Sequence, residues 1–251
     1  EIKQPQEIIR FWINYLKQKR CFKNSSGIIF ISNYAESYIS RKINLTGKQT
    51  TIINHGISTR FKFSVREQLD INLYTKDKPF KLLYVSTVHV YKHQWNVIEA
   101  VSNLRKKGYR IELDLVGGVI FKPAGKRLSK SIEKVDLENE FIHYYNHVPY
   151  NKIDEFYKKA NGIVYASTCE NMPNILIESM ASGLPIACSN KEPMPEFLKN
   201  NGYYFNSRDI ESITNAIERM LLNPNEREVM CMNNIYEVRR YTWEVTANKT
   251  F

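Results

Sequence analysis

The chain has 251 residues, 43% of them hydrophobic, and carries a formal net charge of +10. That apolar content suits a buried core and excludes a disordered polypeptide, and no apolar run approaches the roughly 20 residues that a spanning helix needs. The charge admits nucleic acid, an anionic membrane or phosphorylated substrates, but the basic residues are scattered, with one mild cluster at Lys17, Lys19, Arg20 and Lys23, where a nucleic-acid binder concentrates them.

The opening stretch, EIKQPQEIIRFWINYLKQKR, is neither a signal nor a transit peptide and lacks an initiator Met, so residues upstream are expected. Within it, Gln6–Lys19 reads as an amphipathic helix that sets Ile9, Trp12, Ile13 and Leu16 against Arg10, Lys17 and Lys19. Packing on a sheet is the favoured reading of that helix, with an interfacial membrane helix as the other. A strand in SGIIFIS, a helix over 33–42, a short strand TTIIN and the turn HGI complete residues 1–58. Residues 59–79 are polar, lack clear periodicity and read as a linker. From residue 80, strands at 81–86, 110–117, 140–145, 162–167, 184–189 and 202–205 alternate with helices at about 93–107, 126–137, 151–160, 173–182, 193–199 and 209–222. Such alternation implies right-handed crossovers and a parallel sheet covered on both faces. Residues 80–237 therefore read as one whole α/β domain, after the end of another (1–58) and the linker. The tail, 238–251, reads as a last helix with Thr242 as its N-cap. Cys21, Cys169, Cys188 and Cys231 form no CxxC pair and read as reduced thiols of a cytoplasmic protein.

One stretch, STCENMPNILIESM (167–180), carries most of the chemistry. Pro173 suits the first helical position, where its missing N–H costs nothing, and Gly183 suits the residue just past the helix end. The loop TCENM then lies at the carboxyl end of a parallel strand, where open α/β sheets bind ligands. Free N–H groups near Asn174 and Ile175 would seat a pyrophosphate. Glu170 precedes the helix, and Glu178 lies about 7.5 Å along its axis from Pro173 at roughly 1.5 Å per residue. Carboxylates at both ends could accept paired hydroxyls of two sugar rings. Either glutamate alone also fits the preference of a helix start for acids. The pair, with Pro173 and the preceding strand, favours the ligand.

Lys92 and His93 begin another helix, whose Trp95, Ile98, Val101 and Leu104 face the core. Cations are disfavoured at a helix start, so a bound anion there would resolve the conflict; a solvated lysine is the plainer account. DLVGG (114–118) places Gly117 in a further loop at a strand end. His89/His93 and His143/His147 are each four apart, but the first pair crosses a loop and the second would sit about 13 Å apart on a strand. No metal site is expected, and ELD (112–114) reads as ordinary strand.

STCENMPNILIESMASGLPIACS resembles the E-x7-E region of retaining glycosyltransferases of family four, which have the GT-B fold of two Rossmann-like domains. SMASGLPIA resembles the element that follows it there. The resemblance implies that Glu170, with Asn171, Met172 and Pro173, holds the donor sugar and that Glu178 binds the nucleotide ribose. Orienting the sugar is the role carried to Glu170 as catalytic residue. VSTVHVYK resembles the family's V-G-R-x(n)-K-G segment, which grips the donor pyrophosphate. Lys92 stands at its lysine, and Thr87 stands where arginine is usual. The stretch 141–167 resembles the segment that leads from the base-binding loop, which brings Asn146–Val148, and His147 with them, near the base. Asn-Met-Pro replaces the common Gly-Phe-Gly after the first glutamate and leaves the donor sugar open.

The implied function is a hexosyltransferase-type glycosyltransferase that moves a sugar from a UDP- or GDP-linked donor to a glycan or lipid-linked acceptor, with retained anomeric configuration. Cell-surface polysaccharide synthesis is the implied setting. No cofactor and no nucleic acid are expected, and the protein would be cytoplasmic and peripheral on the inner face of the membrane. Residues 80–237 resemble the complete donor-binding domain, and 1–58 only the end of the acceptor-side domain. A fragment or partner-dependent half is thus expected, able to bind nucleotide but to transfer little alone. The competing readings are a non-catalytic nucleotide- or RNA-binding α/β module and a nucleotide-sugar epimerase.

Overall fold

The structure, a computed structural model, describes residues 5–62 and 64–251. It opens with α1 (Pro5–Asn24), β1 (Gly27–Phe30), α2 (Asn33–Ser40) and β2 (Gln49–Ile52). The two strands pair in parallel, Gly27 opposite Gln49. Ser32 caps α2 by accepting the Ala35 N–H at 3.0 Å. On α1 the apolar side chains Ile9, Trp12, Ile13 and Leu16 all stand exposed. A two-stranded sheet offers too little surface to cover such a face. Among the described residues no helix is long and apolar enough to cross a membrane.

From residue 80 the strands are β3 (Phe80–Val85), β4 (Ile111–Val116), β5 (Ile142–Tyr145), β6 (Gly162–Tyr165), β7 (Ile186–Ser189) and β8 (Tyr203–Phe205). They form one sheet in the order β5-β4-β3-β6-β7-β8, every pairing parallel. Register sets Tyr84 opposite Leu115, Leu83 opposite Ile163 and Ala187 opposite Tyr203. The central strands β6 and β7 are buried at every position, as a sheet covered on both faces demands. The helices are α3 (Gln94–Lys106), α4 (Lys122–Val135), α5 (Ile153–Lys159), α6 (Asn174–Ala181), α7 (Met194–Leu198), α8 (Ile210–Leu222), α9 (Pro224–Glu237) and α10 (Trp243–Thr250). Helix α3 buries Trp95, Ile98, Val101 and Leu104, the stripe expected from their spacing.

Three local differences from the sequence reading have physical reasons. Pro173 is the N-cap of α6, not its first turn; its ψ of 78° is not helical. Helix α4 begins four residues earlier than expected, at Lys122, because Pro123 suits the first turn. Helix α9 was not expected at all. Its buried residues are Arg227, Cys231 and Asn234, so its inner face has helical spacing without a hydrophobic pattern.

The Arg227 guanidinium is fully buried and donates to the carbonyls of Met220, Leu221 and Leu69 and to Gln68 Oε1. Arg66 likewise donates to the carbonyls of Tyr157, Lys158 and Ala160. Among its described residues the segment 59–79 carries two short 3-10 turns, Thr59–Phe61 and Ile71–Leu73, and these arginines pin it to the domain that follows. Thr242 caps α10 through the Val245 N–H at 3.1 Å, and Thr246 Oγ1 donates to Asn54 O at 2.8 Å. The last helix thus returns to the first segment. Gly56 makes the close approach possible, since a Cβ there would meet Trp243 N at 2.1 Å.

Candidate functional site

The chain runs outward from β3 to β4 and β5, then returns to lay β6 on the other side of β3. Crossovers leave in opposite directions at that junction, and a crevice opens between the loops that follow β3 and β6. A cleft of about 560 Å³ occupies it, lined among others by Lys92, Tyr150, Tyr165, Glu170, Asn174 and Glu178. The first loop delivers Lys92, the second Glu170, and α6 delivers Glu178.

Lys92 is 5% exposed. Its ammonium pairs with Glu170 Oε1 and lies 5.1 Å from the Tyr91 ring centroid and 5.6 Å from that of Tyr165. The same Glu170 oxygen accepts from Tyr165 OH at 2.7 Å and Ser167 Oγ at 2.6 Å. A buried ammonium requires such a partner, because its desolvation is otherwise uncompensated. Tyr84 OH donates to Lys92 O at 2.5 Å and holds the turn from below. Burial and the neighbouring Glu170 carboxylate keep the Tyr165 phenol well above its ordinary pKa, so it remains a proton donor.

Glu178 is 6% exposed and accepts from Tyr150 OH at 2.7 Å. Burial pushes its carboxyl up to about 7, against the opposing pull of the Tyr150 hydrogen bond and the Arg60 charge. Arg60 also lies 5.4 Å from the Tyr150 ring centroid. Tyr150, Tyr165, Ser167 and Arg60 were missed by the sequence reading. Nothing in the local pattern distinguishes them from ordinary core or surface residues.

The remaining sequence candidates divide. Met172 is buried, and its sulfur accepts the His55 N–H at 3.1 Å. Asn171 O accepts Ser32 Oγ at 2.6 Å, so the loop between β6 and α6 is fastened to the first segment. The Asn174 N–H donates to Met172 O at 3.0 Å, so the unpaired amides at the start of α6 are later ones in its first turn. Gly117 has φ of +141°, and a Cβ there would lie 2.2 Å from Ser86 O. It lets the loops after β3 and β4 touch, and its carbonyl accepts Tyr144 OH at 3.0 Å. His147 is exposed beside Gly118, and Thr87 is exposed with its carbonyl accepting Gln94 Nε2. Gly117, His147 and Thr87 do not line the 560 Å³ cleft itself. Among the described residues no three His, Cys, Asp or Glu side chains are grouped to hold a metal ion.

The family model for glycosyl transferases group 1 matches residues 65–237. Protein CapJ of Staphylococcus aureus is 26% identical over 238 residues, which cover 95% of this chain and 57% of CapJ. O-antigen chain mannosyltransferase B of Escherichia coli is 26% identical over 110 residues, 44% of this chain and 29% of that protein. Among solved structures, sucrose-phosphate synthase from Thermosynechococcus elongatus aligns with a TM-score of 0.78 at 22% identity, covering 93% of this chain and 58% of that one. Anabaena Alr3699/HepE, solved in complex with UDP and glucose, aligns with a TM-score of 0.74 at 18% identity, covering 90% and 61%. The architecture is thus that of GT-B glycosyltransferases. The chain spans less than two thirds of the length of each of these proteins.

Proposed function

The chain belongs to the glycosyl transferases group 1 family, and on that premise we propose that it binds a UDP- or GDP-linked sugar and delivers the sugar, with its anomeric configuration retained, to a glycan or lipid-linked acceptor of the cell-surface polysaccharide type. The observation that carries this reading is the buried Lys92–Glu170 pair in the crevice, with Glu178 buried further along α6. The family match favours a transferase over the RNA-binding module and the epimerase.

In the proposed complex the ribose hydroxyls donate to Glu178. The diphosphate faces Lys92 and the amino end of α6, and the sugar rests against Glu170. As the bond from the anomeric carbon to the diphosphate oxygen breaks, negative charge builds on the departing nucleotide. Lys92 and the first-turn amides of α6 are already in place to stabilise it, so little reorganisation is needed at that moment. The acceptor oxygen forms the new glycosidic bond, and its proton leaves with the nucleoside diphosphate. Lys92 pairs with Glu170, so a bound donor would share one ammonium between that carboxylate and its phosphate. Tyr165 and Ser167 keep Glu170 supplied with donors while that happens.

Because the chain spans 57% of CapJ and 58% of the synthase, transfer itself is proposed for the protein with an acceptor-side half in place. The exposed apolar face of α1, which also carries basic residues, supports peripheral membrane association as part of the same proposal. Calorimetric titration of the chain with UDP and GDP tests donor binding. Saturable binding of one of them, weakened by Glu178→Gln, is expected. Absence of binding by both would overturn the reading.

A further inference from the structure

A second cavity, of about 490 Å³, lies on the other side of the turn that carries Lys92. Tyr91, His93, Asn96 and Thr168 line it, together with Arg127 of α4 and Arg208, which precedes α8. The two cavities share a wall. The Thr168 N–H donates to Tyr91 O at 2.9 Å, and His93 Nε2 bonds Thr168 Oγ1 at 2.9 Å. Thr168 is two residues from Glu170, so the far side of the same loop faces the donor cleft.

The electrostatics of this cavity are one-sided. No acidic side chain lines it. Among the described residues neither Arg127 nor Arg208 forms an ion pair, and neither guanidinium donates to a protein acceptor. Arg127 is nonetheless held in place, its guanidinium carbon 4.1 Å from the centroid of the Trp95 ring. Asn96 Nδ2 donates to Ser207 O at 2.7 Å and fixes the backbone next to Arg208. The same Ser207 buries a hydroxyl that has no partner. Helix α3, 13 residues long, starts here with no side-chain cap and no acid in its first turn, so its positive end is also unbalanced. Burial, then the charges of Arg208 and Arg127, hold the His93 imidazole below its ordinary pKa; both cations act on one spot.

Two guanidinium forks around an empty positive space match an oxyanion, which each can bind through paired N–H donors. In the donor cleft, ribose, diphosphate and sugar already have their partners. An anion in the second cavity would sit across the 167–170 loop from the transferred sugar, as a charged group of the other substrate would. We propose that this cavity is a separate oxyanion subsite, formed by Arg127, Arg208, Asn96 and the start of α3, that holds a phosphoryl group of the acceptor. The assignment to the acceptor rests on the neighbouring cleft being the donor site.

The test is calorimetric titration of the 251-residue chain, saturated with UDP, with inorganic phosphate and with glycerol phosphate, using acetate as the carboxylate control. Both phosphates are expected to bind at one site. Arg127→Gln and Arg208→Gln should each weaken them by about tenfold or more, the loss of a charge-assisted bond, while UDP affinity stays within about twofold. Both arginines are exposed, so the variants should melt close to the parent. Phosphate affinity that is absent, or untouched by both substitutions, overturns the proposal, as does acetate binding equal to that of phosphate. If UDP fails to bind, the donor reading falls alone, and the arginine dependence of phosphate binding is read without it.

Discussion

Glu178→Gln separates what a buried carboxylate does for the fold from what it does for the ligand. In the folded chain, burial raises the Glu178 carboxyl from its ordinary value of 4.5 to about 7. The folded state therefore holds this proton more tightly than the unfolded chain does. Between those two values the folded state binds more protons, so stability falls as pH rises through the window and stays lower above it. At about 1.4 kcal/mol per unit, the full cost above pH 7 is about 3 kcal/mol. Glutamine has nearly the same shape, keeps an oxygen to accept from Tyr150 OH, and carries no charge to desolvate. The variant should be more stable than the parent by about 1–3 kcal/mol at pH 8, and by less than about 1 kcal/mol at pH 5. Urea denaturation at both pH values measures this. Nucleotide binding should move the other way. UDP-glucose, whose diphosphate does not titrate in this range, should bind the parent more tightly at pH 8 than at pH 6, as Glu178 becomes a full acceptor for hydroxyls. The variant should bind it more weakly and without that pH dependence. Equal or lower stability of the variant at pH 8 would refute the burial argument, and unchanged affinity would refute the ribose assignment.

Three further substitutions probe the rest of the framework. Tyr150→Phe removes the hydroxyl that donates to Glu178 Oε1; it should cost about 1–2 kcal/mol at pH 8 and weaken UDP binding, measured by denaturation and calorimetry. Glu170→Ala leaves the Lys92 ammonium buried without its carboxylate and should cost about 3–5 kcal/mol, whereas Glu170→Gln, which retains an acceptor, should cost less; thermal melts rank the two. Gly117→Ala would place a Cβ 2.2 Å from Ser86 O at a φ of +141°, so about 2 kcal/mol or more should be lost, together with nucleotide binding, as the two loops are pushed apart.

How much was legible without coordinates depends on whether the cause was local. The central strands β3, β6 and β7 announce themselves because a sheet covered on both faces needs near-continuous apolar runs, and turn residues separate them. The Thr242 cap is local as well, since it uses a hydroxyl three residues from the amide it accepts. Gly183, at φ of +66°, ends α6 where its flexibility was expected. The eight-residue spacing of Glu170 and Glu178 fixes their separation across a helix start whatever surrounds them. By contrast, Lys92 and Glu170 are 78 positions apart, and Tyr150 and Glu178 are 28 apart. No periodicity records such pairs. Helix α9 escaped notice because a buried arginine is satisfied by carbonyls from other segments rather than by an apolar pattern of its own. Thr87 and His147 were assigned by resemblance of their loops, and the direction in which a loop side chain points is set by neighbouring loops.

Chain order and local chemistry determined the alternation of strands and helices from β3 to α8, with Glu170 in the loop before α6 and Glu178 on it. Which groups desolvate one another was decided only when β6 settled beside β3. Desolvation and pairing act through space, and the sequence carries distance only along the chain.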